Sequence, residues 1–290
     1  MKKIRMAFLS TAALTLLATI TGCSPRKVAS AKASDASSSG VVVPGATVKG
    51  AIKGSEVFIE GRTVTIPTLW VCDHEVTQAE YKSVMGENPS EFSGSNKPVE
   101  CVSWYDAIMY CNKKSAVAGR TPCYKVDGET DTSQWGYTPH NGNDISGTIT
   151  CDFTADGYRL PTEAEWEYFA RGGNTSNSGQ TKYSGRNRVG KVAWYEGNSG
   201  KKTHEVKTKA PNALGLYDMS GNVGEWCWDW YGSISASTPS TGAASGSSRV
   251  GRGGGWYYHA PLCTVSGRDL DHPVLRNYNY GFRVVCSRSE

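Results

Sequence analysis

Short helix signals separated by glycine-rich stretches set the strongest limit on how this chain can fold. The 290 residues include 33 glycines. The helical patterns are 76–85 with a threonine cap and a stop at Gly86, 103–112 with Ser103 as N-cap, and 161–171 with Thr162 as N-cap, Glu165 at the capping-box position and a stop at Gly172. Residues 56–59 and 282–285 read as short strands. We therefore expect an α+β fold that is rich in loops, with few short helices and strands.

The first 22 residues have the pattern of an export signal. Lys2, Lys3 and Arg5 precede an apolar run over 6–20, which is too short for a stable membrane span. Small residues then precede Cys23, and this ending resembles the lipobox of bacterial lipoproteins. The resemblance implies cleavage before Cys23 and attachment of lipid to its sulfur; the alternative is an ordinary secretory signal. We expect an exported, lipid-anchored protein of the outer membrane or cell surface, with the inner membrane left open.

Composition divides the rest of the chain into a tether and one domain. Residues 23–54 are mostly Ala, Ser, Val, Gly and Lys, which predicts a flexible tether. Residues 55–290 are richer in aromatic residues and glycine, and they contain no second linker of comparable length. The stretch 232–248 is interpreted as a loop within that domain.

Net charge argues against a nucleic-acid partner. The full chain carries 31 basic and 27 acidic residues, and loss of the three basic residues in the leader leaves 28 basic residues beside the same 27 acidic ones. A nearly neutral chain offers no basic stripe for phosphate contacts.

The cysteine count leaves two interpretations open. Setting Cys23 aside, eight cysteines remain: Cys72, Cys101, Cys111, Cys123, Cys151, Cys227, Cys263 and Cys286. An even number in an exported chain permits disulfides, but buried thiols that behave as small apolar residues compete with that interpretation. None of the spacings fits a zinc site.

Three motifs in order carry a family resemblance. They are GYRLPTEAEWEY at 157–168, NALGLYDMSGNVGEW at 212–226, and GGGW at 253–256 closed by GFR at 281–283. Together with the segments 75–77 and 98–104, they resemble the formylglycine-generating, or sulfatase-modifying factor, family. The resemblance implies the C-type-lectin-like fold of that family for the domain.

The resemblance also bears on metals and catalysis. Family members carry calcium near the second motif, which makes Asn222 and Glu225 candidate ligands; the alternative there is a hydrogen-bonded turn. The oxidising enzymes use two cysteines five positions apart for copper chemistry. Cys263 matches the second cysteine, but Tyr258 stands at the first, and a phenol is a poor substitute for a thiolate. We expect no required cofactor, with structural calcium as an option and copper only if the chain is an enzyme of this class.

The C-terminal segment 257–280 has an unusual composition. It has neither helical nor strand periodicity, and it lacks Lys, Glu, Gln, Met and Trp. It resembles the variable region of diversity-generating retroelement targets, the Treponema variable protein among them, in which adenines of a template are copied unfaithfully. Codons ending in pyrimidine cannot encode the five missing residue types. The segment is too polar for a wholly buried run, and it predicts an irregular recognition surface.

Residue types separate the segment into two sets. The ligand-binding candidates are Tyr257, Tyr258, His259, Leu262, Gly267, Asp269, Leu270, Asp271, His272, Leu275, Asn277, Tyr278, Asn279 and Tyr280. The residues expected to stay fixed are Trp256, Ala260, Cys263, Arg268, Pro273, Arg276 and the closing 281–283. We expect the ligand to be a protein or a glycan. An enzyme of the formylglycine-generating class and a structural lipoprotein without a ligand remain the alternatives.

Overall fold

Twelve short strands and three helices make up the regular structure of residues 39–287, the part of the chain that the computed structural model describes. The strands are β1 (Gly40–Val43), β2 (Ala46–Lys49), β3 (Thr63–Ile66), β4 (Leu69–Cys72), β5 (Tyr124–Val126), β6 (Ile149–Cys151), β7 (Tyr158–Arg159), β8 (Gly224–Trp230), β9 (Arg249–Arg252), β10 (Arg268–Asp271), β11 (Tyr280–Gly281) and β12 (Val285–Ser287). The helices are α1 (Gln78–Met85), α2 (Trp104–Val117) and α3 (Glu163–Ala170). The predicted signal peptide and the lipid site at Cys23 lie outside these residues.

Two four-stranded sheets organise the fold. The first has the order β1-β4-β12-β7, so strands from the two ends of the described chain lie on either side of β4. The second has the order β10-β9-β8-β11, with β10 antiparallel to β9 and β11 parallel to β8. The register between β8 and β9 shifts between Trp226 and Trp230, as at a bulge. The second sheet therefore includes β10 and the first residue of β11 from the segment 257–280, and it holds this segment against the domain.

Local capping explains the three helices. Thr77, Ser103 and Thr162 each accept a hydrogen bond from the backbone three residues later, and an acidic side chain at that position returns to the cap. The helix α1 ends at Gly86, whose φ is 88°. The predicted helices are confirmed, although α2 continues to Val117, five residues past the predicted end.

Carboxylates on α3 are buried and paired. Glu165 binds Arg159, Glu167 binds Arg171 and Arg252, and Glu163 binds Arg268. A run of charges on a helix is commonly a solvated face, but here each carboxylate lies in the interior. These pairs tie the helix to three separate parts of the chain.

Three predictions, one of the tether and two of strands, are wrong in whole or in part. Strands β1 and β2 occupy part of the predicted tether, because β1 pairs with β4 and β2 pairs with β3, so the folded part begins before residue 55. Residues 56–59 do not form a strand. Ser55 Oγ accepts hydrogen bonds from the backbone N–H groups of Val57 and Phe58, which turns the chain there and buries both side chains. Of 282–285, only Val285 belongs to a strand.

Several cysteines act as core residues. Cys72, Cys101, Cys111, Cys123, Cys151, Cys227 and Cys263 are free thiols, and most of them are buried. None of these seven forms a disulfide, so the structure agrees with the interpretation of them as free thiols that are mostly buried. Among residues 39–287, no helix has both the length and the apolar composition needed to span a bilayer.

Candidate ligand-binding surface

Four aromatic rings form one continuous patch, the aromatic surface, made of Phe92, Trp256, Tyr257 and Tyr278. The Trp256 ring centroid lies 5.2 Å from that of Phe92, 5.5 Å from that of Tyr257 and 5.4 Å from that of Tyr278. Tyr257 is 59 % exposed and Tyr278 is 42 % exposed, whereas Trp256 is buried. The patch thus has a fixed indole at its centre and solvent-facing phenol rings on it, which is a composition typical of binding surfaces.

Backbone contacts fix Trp256 in place. Its indole N–H donates to the carbonyl of Tyr278 at 2.9 Å, its backbone N–H donates to the carbonyl of Asn222, and its carbonyl accepts from Ser199 Oγ. Just before it, Gly254 has φ 66°, and a Cβ there would lie 2.8 Å from Cys263 Sγ. A glycine is therefore required at position 254 of the GGGW motif, where the backbone passes close to the side chain of Cys263.

A polar layer underlies the exposed rings. Asp269 Oδ2 accepts hydrogen bonds from the hydroxyls of Tyr258, at 2.7 Å, and Tyr280, at 2.8 Å. Asn279 donates to the Tyr258 hydroxyl at 3.0 Å. Burial raises the pKa of Tyr258, so its phenol stays protonated and holds this network.

Two of the predicted contact residues are buried. Tyr280 is 1 % exposed, and its ring centroid lies 4.5 Å from that of Trp226 in the core. Asn279 is also buried. The expectation that they face a ligand is wrong, because Tyr280 pairs with β8 as part of β11 and the carbonyl of the adjacent Asn279 accepts a hydrogen bond from the backbone N–H of Gly224.

The other twelve predicted residues are either exposed or partly buried. His259, Leu262, Leu270 and His272 are exposed with Tyr257 and Tyr278, while Tyr258, Gly267, Asp269, Asp271, Leu275 and Asn277 are partly buried. Leu270 lies on the edge strand β10 and not in the aromatic surface. His259 lies 3.3 Å from Glu196 in an exposed pair. Twelve of the fourteen predicted positions therefore reach solvent to some extent.

The residues predicted to stay fixed are anchored to the domain. Arg268 binds Glu163 through two nitrogens, and Arg276 binds Asp106 and the Tyr137 hydroxyl. Cys263, Pro273 and the closing 281–283 are buried. Their side chains point into scaffold contacts, whereas most of the mixed residues between them reach the surface.

Phe92 and Glu196 also contact the site, although they lie outside the segment 257–280 and are not predicted from the sequence. Phe92 is held in the loop after α1, because its N–H donates to Glu100 Oε1 at 2.8 Å and its carbonyl accepts from Gln78. Glu196 is placed by its backbone N–H, which donates to the Tyr258 carbonyl. Both come from distant parts of the chain, and only tertiary structure reveals them.

A model of the sulfatase-modifying factor enzyme 1-like domain matches residues 25–288. The chain belongs to this family. A Paenibacillus barcinonensis protein named chaperone protein LppX is 39 % identical over 264 residues, covering 82 % of this chain and 87 % of that protein. The formylglycine-generating enzyme of Streptomyces coelicolor is 36 % identical over 146 residues, which covers 44 % of this chain and 46 % of the enzyme.

Solved structures agree with the sequence motifs. Treponema denticola variable protein 1 aligns with a TM-score of 0.76 and 38 % identity, covering 85 % of this chain and 94 % of that protein. The structure titled CarF aligns with a TM-score of 0.67 and 28 % identity, covering 87 % of this chain and 98 % of that one. The predicted C-type-lectin-like fold of the sulfatase-modifying factor type is confirmed.

This member of the family uses the candidate calcium residues for other contacts. Asn222 Oδ1 accepts from the His204 backbone N–H, and its amide donates to Glu75 at 2.7 Å. Both oxygens of Glu225 face Arg283, and one also accepts from the Trp166 indole. A cation at Glu225 would meet a guanidinium, so the two side chains do not fit a calcium site. Asn222 is held by hydrogen bonds before the strand, whereas Glu225 lies in β8 and is paired with Arg283.

The geometry at Cys263 does not suit copper. The thiol is buried, and burial raises its pKa to about 12, so it is protonated at neutral pH. Its Sγ donates to the His259 carbonyl at 3.9 Å. Within 39–287 there is no group of three or more His, Cys, Asp or Glu side chains placed to hold a metal. One protonated thiol and a hydrogen-bonded Tyr258 phenol do not supply the pair of thiolates that Cu(I) chemistry needs.

Proposed function

We propose that this protein is an exported, lipid-anchored binding protein that recognises a protein or glycan ligand through diversified side chains on and around the aromatic surface. The observation that carries the proposal is the division of the segment 257–280. Positions of the mixed set mostly reach solvent, and positions of the fixed set are tied to the scaffold.

The chemistry of the exposed positions suits recognition. Tyrosine supplies a large contact area with few rotatable bonds, and aspartate, histidine and asparagine supply adaptable hydrogen bonds. Because the backbone of the segment is held by β10, β11 and buried side chains, exposed residues can change while the path of the chain is kept.

The similarity to Treponema denticola variable protein 1 supports the same reading of the segment. The family also contains formylglycine-generating enzymes, but the contacts of Cys263 and Tyr258 give no support to that chemistry here.

The first test is sequencing of the gene from the Arg252 codon to the stop codon in many clones of one population. We expect substitutions at the codons for Tyr257, His259, Leu262 and Tyr278, with Trp256 invariant. A near-copy of this region that differs at adenines should lie nearby in the genome. A uniform sequence without such a near-copy would remove diversification from the proposal.

Binding is tested separately with a library. The six exposed positions Tyr257, His259, Leu262, Leu270, His272 and Tyr278 are varied with codons ending in pyrimidine, and the displayed variants are panned against immobilised lysozyme and mannan. Binders specific for one probe are the expected outcome, and they should lose binding when the six positions revert. Failure to enrich any binder, in a library whose members fold, counts against a recognition surface.

Anchoring is tested at Cys23. Cells labelled with radioactive palmitate should incorporate label into the wild-type protein and not into Cys23→Ser. Equal labelling of the two proteins would contradict lipid attachment at this sulfur.

A further inference from the structure

A second concave site lies away from the segment 257–280. It is a pocket of about 490 Å³, a size that suits a small-molecule ligand. Its walls include Tyr105, Phe153, Trp228 and Trp230, together with the loop residue Ala244. No residue of the segment 257–280 lines it, so its walls are not part of the proposed recognition surface.

Arg249 supplies the pocket with its positive charge. The side chain lines the pocket but is 3 % exposed. Its guanidinium carbon lies 3.7 Å from the ring centroid of Trp104 and 3.5 Å from that of Trp230, so two indoles sandwich it. One nitrogen donates to the Trp228 carbonyl at 2.6 Å, and Nε is buried without a hydrogen-bond partner.

Other buried arginines in the described chain have richer partners. Arg159, Arg252, Arg268 and Arg283 each form an ion pair with a glutamate. Arg62 donates to three backbone carbonyls. The side chain of Arg249 forms no ion pair with any residue of 39–287 and makes a single hydrogen bond. Burying a cation with so few partners is costly, which suggests that the missing partner comes from outside the chain.

Carboxylates near Arg249 are committed elsewhere. Asp271 lies opposite Arg249 in the pairing of β10 with β9, but its Oδ1 accepts from the His272 backbone N–H. Asp229 is buried, and its Oδ2 accepts from the backbone N–H of Glu163 at the start of α3. Burial lowers the pKa of Arg249 to about 9, so the guanidinium remains charged at neutral pH and still lacks an anion.

We propose that this pocket binds a small aromatic carboxylate, with the carboxylate on the guanidinium of Arg249 and the ring against Trp228, Trp230 and Phe153. The hydrogen bond would be charge-assisted, to a guanidinium that is 3 % exposed in the free protein, and the aromatic walls would cover part of the ring. The same chemistry is offered by a free aromatic acid and by the C-terminal phenylalanine of a peptide.

Calorimetry with 3-phenylpropionate tests the site on the full chain. We expect binding of the acid and at least about tenfold weaker binding of 3-phenylpropionamide, which has the same shape without the charge. An N-acetylated peptide ending in phenylalanine, with a free carboxylate, forms the second arm. Binding of the free acid alone assigns a metabolite-sized ligand, and comparable or tighter binding of the peptide assigns a chain terminus.

Three variants locate the binding. Arg249→Met should weaken binding of the acid at least about tenfold while leaving the amide unchanged. Ala244→Phe, at an exposed position of the wall, should block binding of the acid and of the amide while Arg249 is intact. This variant tests the pocket even if Arg249→Met fails to fold. Arg186→Met, at an exposed arginine outside the pocket, is the matched control and should bind as the wild type does.

Two results would overturn the proposal. One is equal affinity for the acid and the amide, because the guanidinium would then play no part. The other is the absence of binding by both the acid and the peptide at millimolar concentrations, in which case Arg249 serves only to hold the indoles together.

Discussion

Trp256 donates its indole N–H to the backbone carbonyl of Tyr278, and not to that residue's side chain. The hydrogen bond therefore survives any change of side chain at position 278. A fixed residue and an exposed residue are coupled through the main chain alone, which is a requirement for a surface whose side chains vary.

Replacing Tyr278 by asparagine should lower the free energy of unfolding by less than about 1 kcal/mol, since the ring is partly exposed and its carbonyl keeps its partner. Replacing Trp256 by alanine should cost about 3–5 kcal/mol, because a buried indole and its hydrogen bond are lost. Denaturant unfolding measures both. Equal losses in the two variants would contradict the division into fixed and exposed residues.

Tyr280→Ser and Tyr257→Ser make a matched pair of the same substitution. The first removes a buried ring from Trp226 and a hydrogen bond to Asp269, and we expect a loss of about 3 kcal/mol or more. The second removes an exposed ring and should cost less than about 1 kcal/mol. The midpoints of thermal unfolding compare them directly, and a larger shift for Tyr257→Ser would be the contrary result.

Arg283 and Glu225 form a buried two-point ion pair, with both nitrogen–oxygen distances at 2.6 Å. Arg283→Met should lower the free energy of unfolding by about 3–5 kcal/mol, because it leaves a buried carboxylate without its cation. The double variant with Glu225→Leu should recover part of that loss. If the double variant loses as much free energy of unfolding as the two single variants do together, the two residues are not coupled.

Asp218 should make stability depend on pH. It is buried, one of its carboxylate oxygens has no partner, and burial raises its pKa to about 6. The folded state then holds a proton that the unfolded chain releases near pH 4, so the free energy of unfolding falls as pH rises from about 4 to about 6, by up to about 1.4 kcal/mol per pH unit. Asp218→Asn should lack this contribution. Denaturant unfolding across that range measures it, and identical slopes in the two proteins would contradict it.

Cys263 should resist iodoacetamide in the native protein at pH 8, because the thiol is buried and its pKa is raised to about 12. In urea the same thiol should react readily. Mass spectrometry of peptides from the two samples reports the extent of alkylation. Rapid native labelling would identify an accessible, reactive thiol and reopen the enzymatic alternative.

Local signals in the sequence predict the helices well. The caps at Thr77, Ser103 and Thr162 lie within three residues of their partners, so the sequence contains the whole interaction. Strands are harder, since β1 and β2 depend on pairing with β4 and β3 further along the chain. The valine-rich stretch that they occupy resembles a linker in composition alone.

The candidate site also has a part that the sequence predicts and a part that depends on distant contacts. Residue types indicate which part of the segment faces outward, but they do not reveal that Tyr280 packs on Trp226, since that contact depends on the parallel pairing of β11 with β8. Phe92 joins the aromatic surface from a part of the sequence far from the segment. Arg249 shows no sign in the sequence of lacking an anionic partner, because pairing of buried charges is decided by tertiary contacts.

Strand β12 follows the segment 257–280 and lies between β4 and β7 in the first sheet. A copying error that shifts the reading frame within the segment, or introduces a stop codon there, also removes β12, which leaves β7 without its strand partner and β4 paired with β1 alone. Such a product cannot complete the sheet, and we expect it to be degraded. If the segment is diversified as proposed, folding would therefore select molecules whose segment is fully translated in frame, whatever its side chains.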